Sequence, residues 1–220
     1  MTIPERTWLR YIRMLSAINS TASKKFAAYL ATHDVMTKAG RKAAIDYAAA
    51  LATKYGESAA AVACEMYDVV AEASGVIVPA AEPAATASYG EVAKAVNGVL
   101  KQSQNVDMIS SVVGRLVKRT GADTTLNNAI RDGAEFAWVP SGDSCAFCIM
   151  LASNGWQRAS KKALKGGHAE HIHANCDCTY AIRFDSRSNV AGYDRDKYLE
   201  IYENAEGSTW REKLNSMRKG

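Results

Sequence analysis

The feature that most constrains this chain is the crowding of its metal-seeking residues. Four of the five cysteines, Cys145, Cys148, Cys176 and Cys178, fall between residues 145 and 178, and three of the four histidines, His168, His171 and His173, share that window. The chain spells C-A-F-C from Cys145 to Cys148 and H-I-H-A-N-C-D-C from His171 to Cys178. Two cysteine pairs far apart in sequence, with a histidine three before the third cysteine, carry the spacing of a tetrahedral metal site. A Cys-x-x-Cys turn aims two thiolates at one point, and a distant second pair closes a loop that chain entropy otherwise keeps open. Zinc suits thiolate and imidazole donors and needs no redox role. It would replace the hydrophobic core that a strand-helix-strand module of about 50 residues cannot build alone. The candidate ligands are Cys145, Cys148, His173, Cys176 and Cys178. Five exceed the four positions, so one of His173, Cys176 and Cys178 stands outside the ligand set. His168 and His171 read as solvent-facing or supporting, His33 as a surface residue and Cys64 as a small hydrophobe.

The same residues admit other chemistry. Two disulfides would use the four cysteines, which a reducing compartment disfavours. A redox Cys-x-x-Cys needs a thioredoxin-like strand and helix that the flanking sequence does not supply. A cysteine nucleophile with a histidine base is a third reading, although nothing singles out one cysteine. A His-Asn-His nuclease needs a metal-binding helix after its histidine, and none with His or Asn ligands follows at close range.

Composition narrows the classes. Hydrophobic residues are 48% and charged residues 23% of the 220, the balance of a globular chain rather than a collagen or a disordered tail. No run reaches the ~18 apolar residues of a membrane-spanning helix. Met1 to Arg13 is charged and amphipathic, unlike a secretory signal, which points to a cytoplasmic setting without a membrane. Up to Pro140 there are 15 basic and 13 acidic residues, and beyond it 12 and 10. Each part nets +2, so neither is a basic arm of the kind that wraps nucleic acid.

The expected architecture is mainly α with a small α+β C-terminal module. Residues 1–74 form an extended, alanine-rich helical region, with Trp8, Tyr11, Ile12, Leu15 and Ile18 at helical spacing. Thr21 or Ser23 caps a second segment, a third runs from about Thr37 to a stop at Gly56, and Ser58 caps a fourth that ends at Gly75. Residues 75–88, with Pro79 and Pro83, form a linker or exposed loop. Residues 89–134 are helical again, broken at Gly121 and recapped at Asp123. Residues 135–185 are the Cys/His module, with strands at Phe136–Val139 and Cys178–Phe184 and both Cys145 and Cys148 on one face of a short helix. Residues 186–220 are a C-terminal helical tail that ends in an amphipathic segment, Trp210 to Met217.

The run from Asp143 to Ser153 and then His173-Ala174-Asn175-Cys176-Asp177-Cys178 resembles the phage Mu F-like minor head proteins, in the form found in siphophages of actinobacteria. That family's pattern is a tryptophan-bearing strand, a Cys-x-x-Cys, a variable segment and a His-x-x-Cys-x-Cys that leads into a strand. Trp138, Cys145, Cys148, His173, Cys176 and Cys178 match it position by position. Ala44, Tyr47, Ala52, Tyr55 and Tyr67 resemble its N-terminal region less specifically, and Ala174 stands where a proline is frequent. The resemblance implies a structural protein of the capsid interior near the portal, added in the host cytoplasm during procapsid assembly. Its partners would be the portal protein, a major capsid or scaffolding protein and the packaged double-stranded DNA. The family fold has been related to ADP-ribosyltransferases, which makes a phage-borne transferase or nuclease the alternative. That transferase chemistry needs a Glu/Gln-x-Glu loop, and the chain contains neither form. The expectation is therefore a non-enzyme.

Overall fold

The computed structural model describes residues 3–103, 105–140, 144–161 and 178–218. Four helices come first: α1 (Glu5–Leu30), α2 (Lys38–Ala73), α3 (Tyr89–Leu100) and α4 (Val106–Asp132). Three of them start where a side chain replaces the missing backbone acceptor. Thr37 accepts from the Gly40 N–H, and Asn105 accepts from the N–H groups of Asp107 and Met108. Ser88 and Glu91 form a reciprocal capping box. Gly133, in the left-handed conformation at φ 68°, ends α4. The expected mainly α chain with a small β-containing module is what forms.

The helices are longer than their sequence suggests. The breaks expected at Thr21 or Ser23, at Gly56 and Ser58, and at Gly121 and Asp123 do not occur; α1, α2 and α4 run straight through them. The hydroxyls that read as caps bond back to carbonyls one turn earlier instead. Thr21 donates to Ala17 O at 2.7 Å and Ser58 to Lys54 O at 3.1 Å. The glycines are points of close approach. A Cβ on Gly56 would lie 2.9 Å from Thr86 Cγ2, and one on Gly121 would lie 3.4 Å from Ala59 O. On Gly114 it would collide with Ser23 Oγ and stand 3.2 Å from Asn19 O. Each interior glycine costs about 1 kcal/mol in helix propensity, offset by the packing of three long helices with α4 against both α1 and α2. Alanine serves the same seam: Ala44, Ala48, Ala52, Ala59 and Ala63 are all buried.

Residues 76–88 form a largely exposed loop, tied along α2 and α4 by hydrogen bonds as a strap. Asn128 takes both backbone groups of Glu82, its Oδ1 accepting from the N–H at 2.9 Å and its Nδ2 donating to the carbonyl at 2.8 Å. Thr124 Oγ1 accepts from the Ala84 N–H, and Asp68 Oδ1 from the Ala81 N–H. Arg131 donates to the carbonyls of Pro79 and Ala80. Pro79 and Pro83 bring no N–H that would need a partner. The strap is an extended chain whose polar groups are answered by helix side chains.

The sheet follows α4 directly. It has strand order β2-β1-β3, all antiparallel: β1 (Glu135–Val139), β2 (Gln157–Arg158) and β3 (Thr179–Arg183). Helix α5 (Ala146–Ser153) packs on β1, and α6 (Arg195–Glu203) and α7 (Trp210–Met217) pack on α5. One hydrophobic core runs from α1 through α4 into β1, β3 and α5 without interruption. Ile3 pairs with Val190 in a parallel bridge and ties the start of α1 to the segment after β3. Among the described residues no helix is long and apolar enough to cross a membrane.

Two outcomes test this packing. Gly114→Ala should destabilise the chain by about 1–3 kcal/mol through overpacking, while Gly98→Ala, whose Cβ meets nothing within 4 Å, should stabilise α3 by about 0.4–1 kcal/mol. Urea unfolding measures both. Asn128→Ala should cost about 1–3 kcal/mol, because both backbone groups of Glu82 lose their partner, and should open the strap to limited proteolysis near residues 76–84.

Candidate functional site

The candidate site is built on β1, α5 and β3. β1 is the central strand, and its register sets Phe136 opposite Ile182 and Trp138 opposite Tyr180, so these four share one face. Tyr180 packs edge-on against Trp138 at 4.7 Å and against Phe136 at 5.7 Å between ring centroids. Burial pushes the Tyr180 hydroxyl's pKa well above its ordinary value.

At the end of β1 the chain turns into α5, with Cys145 as the N-cap residue and Cys148 in the first turn. Their Sγ atoms stand 3.5 Å apart. Two thiolates on one tetrahedral zinc, each at about 2.3 Å from it, stand about 3.8 Å apart, so this pair is set as that donor set requires. Cys178 immediately precedes β3 and is fully buried, and its Sγ lies 4.0 Å from Ser144 Oγ, one residue before Cys145. Three of the five expected ligands therefore belong to one corner, where α5 and β3 both begin. Among the described residues no three His, Cys, Asp or Glu side chains form a metal-binding group. His173 and Cys176, with His168 and His171, lie outside the described residues.

The other end of α5 is held by residues that sequence reasoning did not single out. The Tyr193 hydroxyl donates to Ala152 O at 2.7 Å, and Arg195 Nε donates to Ser153 O. Burial pushes the Tyr193 pKa up to about 12. Arg183 bonds Glu135 across the sheet at 2.6 Å, donates to the Ser186 and Ser188 carbonyls, and stacks 4.6 Å over the Trp156 ring. The cross-strand pair becomes legible once the register of β1 and β3 is known. The Tyr193 and Arg195 contacts carry no local signal. Cys64 is half-buried in α2, and His33 is exposed and stacked on Tyr29 at 3.9 Å, both apart from the corner.

Beneath the sheet, Asp123 of α4 raises the Tyr180 pKa further and forms an ion pair with Arg119 at 3.7 Å. Its own pKa is pushed up to about 6, because burial outweighs the pull of Arg119 and Glu91 adds a like charge. In the loop after β3, Asp185 is held down at about 2 by the Ser188 hydroxyl and the Arg187 N–H.

A family model described as VG15 protein matches residues 2–205, nearly the whole chain. The chain belongs to this family, which is one of viral, phage genes. No curated protein and no solved structure matches it.

These carboxylates set opposite acid responses. Asp123 has a folded-state pKa above its unfolded value of about 3.9, so its ionisation opposes folding. Stability from this group should fall as pH rises from about 4 to about 6, and Asp123→Asn should remove that slope. Asp185 and Glu91, both held near 2, contribute stability that is present above about pH 4 and lost as pH falls toward 2. Urea midpoints measured from about pH 2 to 7 separate the two limbs.

Proposed function

We propose that this VG15-family phage protein is a minor head protein of a tailed phage, seated inside the capsid near the portal, with a structural role in procapsid assembly and in DNA packaging or ejection. The observation that carries the reading is the motif Trp138, Cys145-x-x-Cys148 and His173-x-x-Cys176-x-Cys178. Its described members are placed on the central strand, the start of α5 and the start of β3. Membership in a phage-gene family agrees with it. The partners would be the portal protein, a major capsid or scaffolding protein, and packaged double-stranded DNA.

On this reading the corner is structural. Four of Cys145, Cys148, His173, Cys176 and Cys178 would hold a zinc ion, whose chemistry here is cross-linking: it joins the start of α5 to the start of β3 through bonds stronger than packing. Cys145 and Cys148 supply the first pair, already 3.5 Å apart. Cys178 anchors the other end of the link to the sheet. The long helices α1 and α2 would then present the docking face toward portal or shell, and the Trp210–Met217 segment a second contact.

Tagged portal protein recovered from an infected lysate should retain this chain; a portal that comes down with other head proteins but without it would overturn the head assignment. The metal is tested separately. Purified chain should carry about one zinc, and chelation should lower its Tm. Cys145→Ser and Cys178→Ser should lose the metal, whereas Cys64→Ser should retain it. Metal-free protein with an unchanged Tm would remove the zinc and leave the head assignment standing.

A further inference from the structure

A groove of about 580 Å³ runs between α3 and α4, away from the Cys/His corner. Its charged wall is Lys94, Arg115 and Arg119, with Glu91 as the one carboxylate and Gly98 and Leu116 among the floor residues. Glu91 is fully engaged: it accepts from the Ser88 N–H and hydroxyl, both at 2.9 Å, and from Arg119 at 2.7 Å. Those bonds hold its pKa at about 2, so its charge is fixed and already answered by Arg119. Lys94 and Arg115 have no ion pair or hydrogen bond among the described residues. The groove therefore presents two uncommitted positive charges over a floor of small and apolar side chains.

The matching surface is on the same chain. Helix α6 has no buried residue. Asp196, Glu200 and Glu203 recur at i, i+4 and i+7 and so form one exposed acidic stripe. Asp196 is paired with Arg195 at 3.0 Å. The side chains of Glu200 and Glu203 have no partner among the described residues. Two free carboxylates on a helix about 13 Å long thus meet two free cations in a groove that follows α3 for about 16 Å. A nucleic-acid strand fits the groove less well, because two cations cover few phosphates and no aromatic ring lines it for base stacking.

We propose that the α3–α4 groove receives helix α6 of a second copy of this chain, with its acidic stripe, Glu200 and Glu203, turned toward Lys94 and Arg115. The two surfaces differ, so the contact is head-to-tail and each copy keeps one groove and one helix to offer the next. Such an interaction is steered by charge and weakened by salt. It does not depend on the head-protein reading.

Sedimentation velocity on the full chain tests this between about 2 and 200 µM and at about 0.05 and 0.5 M salt. The expected result is self-association that rises with concentration and weakens at least about tenfold at the higher salt. Lys94→Glu with Arg115→Glu should remain monomeric, and so should Glu200→Lys with Glu203→Lys. Mixed together, the two reversed proteins should associate again, since each then meets a groove of opposite sign. Circular dichroism confirms that each variant is folded; where a reversal unfolds the chain, Lys94→Gln with Arg115→Gln replaces it and should weaken association about tenfold. A wild type that is monomeric throughout would overturn the proposal, as would association that survives either reversal or a mixture that stays monomeric. Loss of duplex DNA binding on Lys94→Glu with Arg115→Glu, in a chain that never self-associates, would also overturn it and assign the groove to nucleic acid.

Discussion

The close approach of α1, α2 and α4 is the constraint on which the rest of the structure rests. Helix axes ordinarily pack 8–10 Å apart, with the spacing set by the side chains between them. Here glycine, alanine and serine stand among larger buried residues such as Leu15, Phe26 and Val117, and at those small residues the backbones come near enough that Gly114 has no room for a methyl group against Ser23 and Asn19. Small residues remove little apolar area themselves, so at these points the fit rests on the dispersion contacts of closely apposed backbones. This close fit at Gly56 and Gly121 accounts for their place inside helices of 36 and 27 residues where the sequence suggests shorter ones. It also accounts for the strap: Thr86 is one of the two residues that crowd Gly56, so residues 76–88 and the α2–α4 seam are parts of one packing problem.

The sheet inherits its position from α4. Gly133 ends the helix, and β1 begins two residues later, so the orientation of the central strand is set by the helical seam. From β1 the chain reaches Cys145 through Pro140 and starts α5, which Tyr193 and Arg195 fasten at its far end. The cysteine corner is therefore held from both sides by packing and hydrogen bonds. A metal at that corner would act on a scaffold already in place rather than nucleate one.

Strands β1 and β3, the cysteine pair on α5 and the helix starts near residues 37 and 89 were legible because each depends on neighbours in sequence: alternation, i to i+3 spacing and a resumed helical pattern, none of which a two-residue strand such as β2 carries. The glycines misled for the converse reason. Whether Gly56 or Gly121 stops a helix or admits another is decided by Thr86, Thr120 and Ala59, residues that no local window contains. The strap was hidden in the same way, since Asn128 and Arg131 reach partners 46 to 52 residues away. Cys145 and Cys148 at the start of a short helix, and Cys178 beside a strand, stand on the elements that local spacing indicates. Spacing does not say which groups support them, because Tyr193 and Arg195 act through backbone carbonyls that any sequence possesses.

The order of strands in the sheet bears on how the chain is made. β1 is central, yet both of its partners are synthesised after it, and Ile3 waits for Val190. A ribosome that has produced the four long helices has exposed no partner for β1. The helical seam, whose contacts include many within reach of one another, can form during synthesis, while the sheet closes only after residue 183 has emerged. Vectorial synthesis thus places the cysteine corner after the helical seam in the order of assembly. A nascent or truncated chain can own its long helices without owning its cysteine corner.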